Sequence, residues 1–412
     1  MKPRLNLCQA SPEPTEAVAA LAVVEWLTGD ECHALDNAGF VAALGPRLRR
    51  SGMALDRLSL DLRILHPEIR CCTLAWAPGE PIEIHDREHG IERARGFAKN
   101  PVLRVMETGQ PLMIRLDERV AEWSLLEVFR GRGLVELIML PLSYADGSIS
   151  VSVFGTAQRT GFTDAERSLM KRILPALRTV CELRALRQSE LTLLDTYVGA
   201  ETGRRILAGR IRRNQIESLE AALLLCDLRG FTKLSNRLPE QRMLVLLNEY
   251  FDCVVPAITE AGGEILKFMG DAVLAYFHRD EPQAACVAAF GAARATIDAL
   301  QALCVADAEI RAGIALHHGT VSYGNIGSGR RLDFTVIGPD VNLVSRIQSV
   351  CSSTGKALLM SERFAELLGS PDVTAIGRHE VMGFADPIEL YVPSQITPSS
   401  FGPSTSPIAS VA

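Results

Sequence analysis

Long apolar runs are missing from this sequence. Nowhere do about 18 apolar residues follow one another without a charge, and even the alanine-rich stretch from Ala284 to Val305 carries Arg294 and Asp298. The N-terminal MKPRLNLCQASPEP also lacks an apolar stretch long enough for a secretory signal. No membrane span is expected, and the chain reads as soluble and cytoplasmic. Net positive charge is missing too: the formal charge is −6. That argues against the basic surface of a nucleic-acid binder and leaves small phosphate sites untouched. The ten cysteines show no metal-type spacing, and the adjacent pair Cys71-Cys72 has no second pair to complete a zinc cage. They are read as reduced core thiols. The eight histidines form no metal-ligand cluster, and His317-His318 are expected at a strand end. Trp76, His85, His89 and Cys71-Cys72 are read as structural.

What is present fits a globular chain of two domains: 412 residues, 47% apolar and 22% charged. The first dozen residues and the Pro/Ser-rich PSQITPSSFGPSTSPIASVA read as disordered tails. Ala38 to Ile64 carries apolar residues at helical spacing. IRCCTLAWA and IEIHD read as strands, and VELIMLPLSYADGSISVSVFG as a hairpin turning at Asp146-Gly147. Thr163 with Glu166 three residues on forms a capping box that opens a long helix. The segments VLRVMETGQPLMI, LPLSYADGSISVSVFG and GFTDAERSLMKRILPAL resemble a GAF domain, a small-molecule sensor module, over about 150 residues. That resemblance implies a ligand-responsive regulatory domain at 30–185, after an N-terminal segment at 1–29.

A helical linker is expected at 186–216. Leu183, Leu186, Leu193, Leu194 and Tyr197 stand near heptad spacing, which suits either a parallel helical pair between two protomers or one helix packed on its own domain. The basic run GRRILAGRIRR reads as a solvated face. From 217 to 393 strand and helix patterns alternate, as in an α/β sandwich with helices on one side of a mainly antiparallel sheet; 394–412 is the tail.

Two aspartates there stand at strand ends beside glycines: Asp227 after ALLLC, and Asp271 after ILKFMG, 44 residues later. A lone strand-end aspartate is usually a turn or helix cap. Two of them from neighbouring strands can bridge divalent cations used for displacement at phosphorus. Asn342 and Arg346, four apart in VNLVSR, project from one helix face.

The ordered segments LCDLRGFTKLS, GGEILKFMGDAVLAYF, IRAGIALHHGTVSYGNIGS and DFTVIGPDVNLVSRIQ resemble the catalytic domain of class III nucleotide cyclases over about 170 residues. The resemblance implies an α+β, ferredoxin-like catalytic domain. It implies that Asp227, Asp271 and the Leu228 carbonyl hold two divalent ions, Mg²⁺ or Mn²⁺. The amides of Arg229, Gly230, Phe231 and Thr232 would cradle the β- and γ-phosphates. Lys267 and Thr335 occupy the purine-reading positions and suit ATP, where guanylyl types usually carry Glu and Cys. Asn342 would orient the ribose, Arg346 would stabilise charge on the α-phosphate, and Arg311 would reach the terminal phosphates. The implied assembly is a homodimer with shared sites. One departure stands out: Met382 occupies a position that is basic in many relatives, leaving Arg378 or Arg311 to compensate. GNIGSGRR lacks the Gly-Lys-Ser/Thr ending of a P-loop, and no Gly-Gly-Asp/Glu-Glu-Phe stretch of a diguanylate cyclase occurs.

Overall fold

The computed structural model describes residues 14–90, 100–116, 125–210, 216–305, 308–328 and 331–394. The chain divides into Met1–Leu193 and Leu194–Ala412. Most of both expected tails lies outside the described residues.

The first unit contains α1 (Pro14–Leu27), α2 (Asp30–Ala34), α3 (Asn37–Arg50), β1 (Arg57–Arg63), β2 (Ile69–Trp76), β3 (Glu83–Glu88), α4 (Pro101–Thr108), β4 (Leu112–Arg115), α5 (Leu125–Gly131), β5 (Glu136–Ser143), β6 (Ile149–Thr156) and α6 (Asp164–Val198), whose last turn enters the second unit. Its strands form an antiparallel sheet in the order β3-β2-β1-β6-β5-β4. The helical reading of Ala38 to Ile64 holds only to Arg50. Beyond it, RLSLDLR alternates with the period of a strand, and Leu58, Leu60 and Leu62 pack into the core with α1, α3 and α6. Within the 1–29 segment, α1 buries Ala20, Val23 and Leu27 in that same core. The capping box forms as expected: the Thr163 amide donates to Glu166 at 2.7 Å, and the Glu166 amide to the Thr163 hydroxyl at 3.3 Å.

The second unit contains α7 (Ala200–Leu207), β7 (Ile216–Leu228), α8 (Phe231–Ser235), α9 (Glu240–Glu260), β8 (Glu264–Met269), β9 (Ala272–Phe277), α10 (Pro282–Ala302), β10 (Cys304–Val305), β11 (Ala308–Glu309), β12 (Ala312–Ser328), β13 (Arg331–Ile337), α11 (Pro339–Thr354), β14 (Leu358–Ser361), α12 (Glu362–Leu368), β15 (Val373–His379) and β16 (Ile388–Pro393). Its main sheet runs β15-β16-β14-β12-β7-β9-β8, with β13 paired to β12; the β12–β14 pair is parallel and the others antiparallel.

Alternation along β7 builds two cores. Ala222, Leu224 and Cys226 face α9, α10 and α12, whereas Ala221, Leu223 and Leu225 face α11 and Tyr323. Helices therefore cover both faces, and the expectation of helices on one side fails at α11. β12 runs on through the Gly-rich end of IRAGIALHHGTVSYGNIGS, where Ser322 to Ser328 pair with β13. His317 and His318 lie mid-strand and buried, rather than at a strand end. Arg205 is no solvated charge either: it pairs with Glu201 at 2.8 Å and Glu217 at 2.6 Å, and sits 4.8 Å over the Tyr323 ring.

Among the described residues eight cysteines are free thiols, and burial pushes Cys71, Cys181, Cys226 and Cys351 up to about 12, as suits inert core groups. Among the described residues no helix is long and apolar enough to cross a membrane.

Candidate active site

β7 delivers Asp227 to the sheet end, opposite Gly313 of β12. The β8–β9 hairpin delivers Asp271: its two-residue turn is Gly270-Asp271, and Gly270 takes φ +69°, a conformation that glycine adopts without steric cost. The two carboxyl groups meet within hydrogen-bonding reach. Burial pushes the Asp271 carboxyl up to about 6, and the neighbouring Asp227 charge adds to that shift. The Leu228 amide donates to Asp271, while the Leu228 side chain is buried in the α9/α10 core.

This donor set fits hard divalent cations. Two crowded carboxylates repel each other, and a cation between them removes the repulsion. No group of three or more Asp, Glu, His or Cys side chains stands ready for a metal among the described residues, so other ligands would come from backbone, substrate or water.

Arg229 is held at the end of β7 by two contacts. Its amide donates to the Arg311 carbonyl at 2.8 Å, and its guanidinium donates to the Lys356 carbonyl. Gly313 makes room for that guanidinium, since a Cβ there would lie 2.7 Å from the Arg229 side chain. Gly230, at φ +74°, then turns the chain into α8, leaving the amides of Gly230, Phe231 and Thr232 around the first turn, where helices lack internal acceptors for their N–H groups.

Lys267 on β8 and Thr335 on β13 are both half-buried. The Lys267 ammonium forms an ion pair with Asp333, two residues before Thr335. Sequence reasoning missed Asp333 because the contact joins strands 66 residues apart. Asn342 and Arg346 lie on the outer part of α11, opposite the row of Val344, Ile347 and Cys351 that packs on the sheet. Among the described residues neither side chain has a hydrogen-bond or ion-pair partner of its own, so both are available to a substrate. Arg311 is exposed and Met382 is 75% exposed. Arg378 is drawn toward Glu389 at 3.6 Å.

The profile of the adenylate and guanylate cyclase catalytic domain matches residues 215–394, the span that carries all of these side chains. Residues 215–394 thus match a nucleotide cyclase catalytic domain. This cyclase domain is 36% identical over 162 residues to an adenylate cyclase of Anabaena cylindrica, an alignment covering 36% of this chain and 31% of that protein. A photoactivated adenylate cyclase subunit alpha of Euglena gracilis is 29% identical over 188 residues, covering 45% and 18%. The chain spans about a third of the length of the first curated relatives it matches. Of solved structures, the adenylyl cyclase CyaB from P. aeruginosa is 27% identical, covers 43% of this chain and 94% of its own, and superposes with a TM-score of 0.39. The guanylyl cyclase Cya2 is 30% identical, covers 42% and 91%, and gives a TM-score of 0.38.

Proposed function

We propose that the cyclase domain is an adenylate cyclase, converting ATP to 3′,5′-cyclic AMP and pyrophosphate. The observation that carries this reading is the meeting of Asp227 and Asp271 at the strand ends, in a domain that also offers Asn342 and Arg346 unpartnered on α11.

Asp227, Asp271 and the Leu228 carbonyl would hold two divalent ions, Mg²⁺ or Mn²⁺. When bound, such ions polarise phosphate oxygens and make a hydroxyl easier to deprotonate. The chain's own residues position the rest. The Lys267 ammonium donates to purine N1 and the Thr335 hydroxyl accepts from the 6-amino group, a pairing that suits adenine. Asn342 holds the ribose so that its 3′-oxygen lies in line with the α-phosphorus. The 3′-oxygen bonds to that phosphorus, the bond to the β-phosphate oxygen breaks, and the hydroxyl proton is released to solvent. Arg346 donates to the α-phosphate oxygens where charge builds up, a preorganised contribution. The amides of Gly230 to Thr232 bind the β- and γ-phosphates that leave as pyrophosphate, with Arg311 as a further cation beside them.

The site is completed by a second copy of the chain: Asp227 and Asp271 come from one protomer, and Lys267, Thr335, Asn342 and Arg346 from its partner. Apolar side chains exposed around the β8 and β12–β13 edge support this dimer, among them Phe268, Met269, Ile326, Leu332 and Ile337. The first unit is the regulator. The six-stranded antiparallel sheet supports the GAF-like reading, and the exposed Leu183, Leu186 and Tyr197 on α6 support a helical pairing between protomers.

The test is an assay of purified protein with ATP and Mg²⁺ or Mn²⁺, in wild type and Asp271→Ala. Cyclic AMP and pyrophosphate are expected from wild type and neither from the variant. A protein silent with every metal would end the enzyme reading, and a preference for GTP would end the adenylate assignment alone.

A further inference from the structure

Strand alternation normally buries one row of side chains and wets the other. On β1 both rows are buried: opposite Leu58, Leu60 and Leu62 stand Arg57, Ser59 and Asp61, only 8%, 6% and 5% exposed. A buried polar row is costly unless something partners it. These three side chains line a cavity of about 410 Å³, within the size range of small-molecule sites.

The cavity is two-sided. Val102, Leu103 and Met106 of α4 and Phe129 of α5 give it an apolar wall, and the sheet gives it a charged one. Four guanidinium groups line it, Arg57, Arg70, Arg87 and Arg132, against two carboxyl groups, Asp61 and Glu83. Glu83 is shared: Arg57 donates to it at 2.7 Å and Arg132 at 2.6 Å, and these cations pull its carboxyl down to about 2. Asp61 accepts a hydrogen bond from Thr73, and burial raises its carboxyl above the usual range, toward the neutral form. Among the lining side chains, guanidinium groups thus outnumber carboxyl groups four to two. Within it, the buried Arg57 Nε has no hydrogen-bond partner among the described residues. His85 and Cys71, read from sequence as structural, also line the space.

We propose that this cavity binds a small organic anion, a carboxylate or phosphate monoester carried on an apolar ring, anchored by Arg57 and Ser59 with the ring against Met106 and Phe129. Planar guanidinium groups match both kinds of oxyanion. The inference deepens the regulatory reading of the first unit and rests on it for function, but the binding itself needs no cyclase activity.

The experiment is calorimetric titration of the full chain with 2-naphthoate, 2-naphthyl phosphate and the neutral isostere 2-naphthamide. At least one anion should bind one per chain, with the amide at least tenfold weaker, as expected when a charge-assisted hydrogen bond is lost. Arg57→Gln should weaken the anion at least tenfold, while Arg132 still serves Glu83. Met106→Trp, which fills the cavity and removes no charge, should abolish binding. Equal affinity for the amide, undiminished binding to Met106→Trp, or no binding of either anion at millimolar concentration would overturn the proposal. Anion binding that leaves the cyclase rate unchanged upholds the site and removes only its regulatory role.

Discussion

His317 Nε2 lies 3.1 Å from Asp340 Oδ1, while its Nδ1 lies 2.7 Å from the Ser361 hydroxyl. One buried imidazole thus ties mid-β12 to the start of α12 and to the first turn of α11. Asp340 also accepts the Thr320 amide at 2.7 Å, and it stands two residues before Asn342. The helix that presents Asn342 and Arg346 is therefore pinned from below.

Asp340→Ala should destabilise the protein by about 1–3 kcal/mol, because it strands the buried His317 and the Thr320 amide. Gly319→Ala should act similarly, since its Cβ would lie 2.2 Å from the Asp340 carboxyl carbon. Urea denaturation measures both. The His317 contact holds the Asp340 carboxyl below its ordinary value of 3.8. The folded state therefore binds this proton less readily than the unfolded state does. The stability gap between wild type and Asp340→Asn should be full above about pH 3.8 and close as the pH falls below it.

Arg346→Ala should lower kcat by about 10²–10³ with little change in KM or in thermal midpoint. The first effect follows from losing a preorganised donor to the reacting phosphate. The second follows because Arg346 has no side-chain partner in the fold to lose. Steady-state kinetics beside a melting curve separates this outcome from simple unfolding.

Lys267→Glu with Thr335→Cys should move the ratio of kcat/KM for ATP over GTP toward GTP by at least about tenfold, since each base would meet donors and acceptors of the wrong or right sense. Asp333→Asn, which removes the partner of the Lys267 ammonium, should alter KM for ATP more than kcat. A panel of both nucleotides measures the shift.

The sheet of the cyclase domain was legible because its strands are short apolar runs that stop at charges or glycines, as ALLLC stops at Asp227. β1 was not, since the leucines of RLSLDLR continue a helical spacing from Leu44 and Leu48 by coincidence. The two strand-end aspartates could be read because each is local to a strand end and a glycine. The Asp333 partner of Lys267, the His317 tie to Asp340 and the turning of Arg229 toward Lys356 join residues far apart in sequence. No local pattern announces such contacts. The polar row of Arg57, Ser59 and Asp61 was hidden for another reason: alternation with leucine predicts a wet face, and only the packing of α4 and α5 makes it a cavity wall.

The central claim is that one active site draws on two chains, and mixing two dead variants tests it most directly. Asp271→Ala and Arg346→Ala should each be nearly inactive with ATP and Mn²⁺. Co-refolded in equal amounts, they should regain about one quarter of wild-type cyclic AMP formation, since half of the dimers are mixed and each mixed dimer keeps one intact site of two. A mixture as inactive as its parents, or a single variant that keeps full activity, would contradict the shared site.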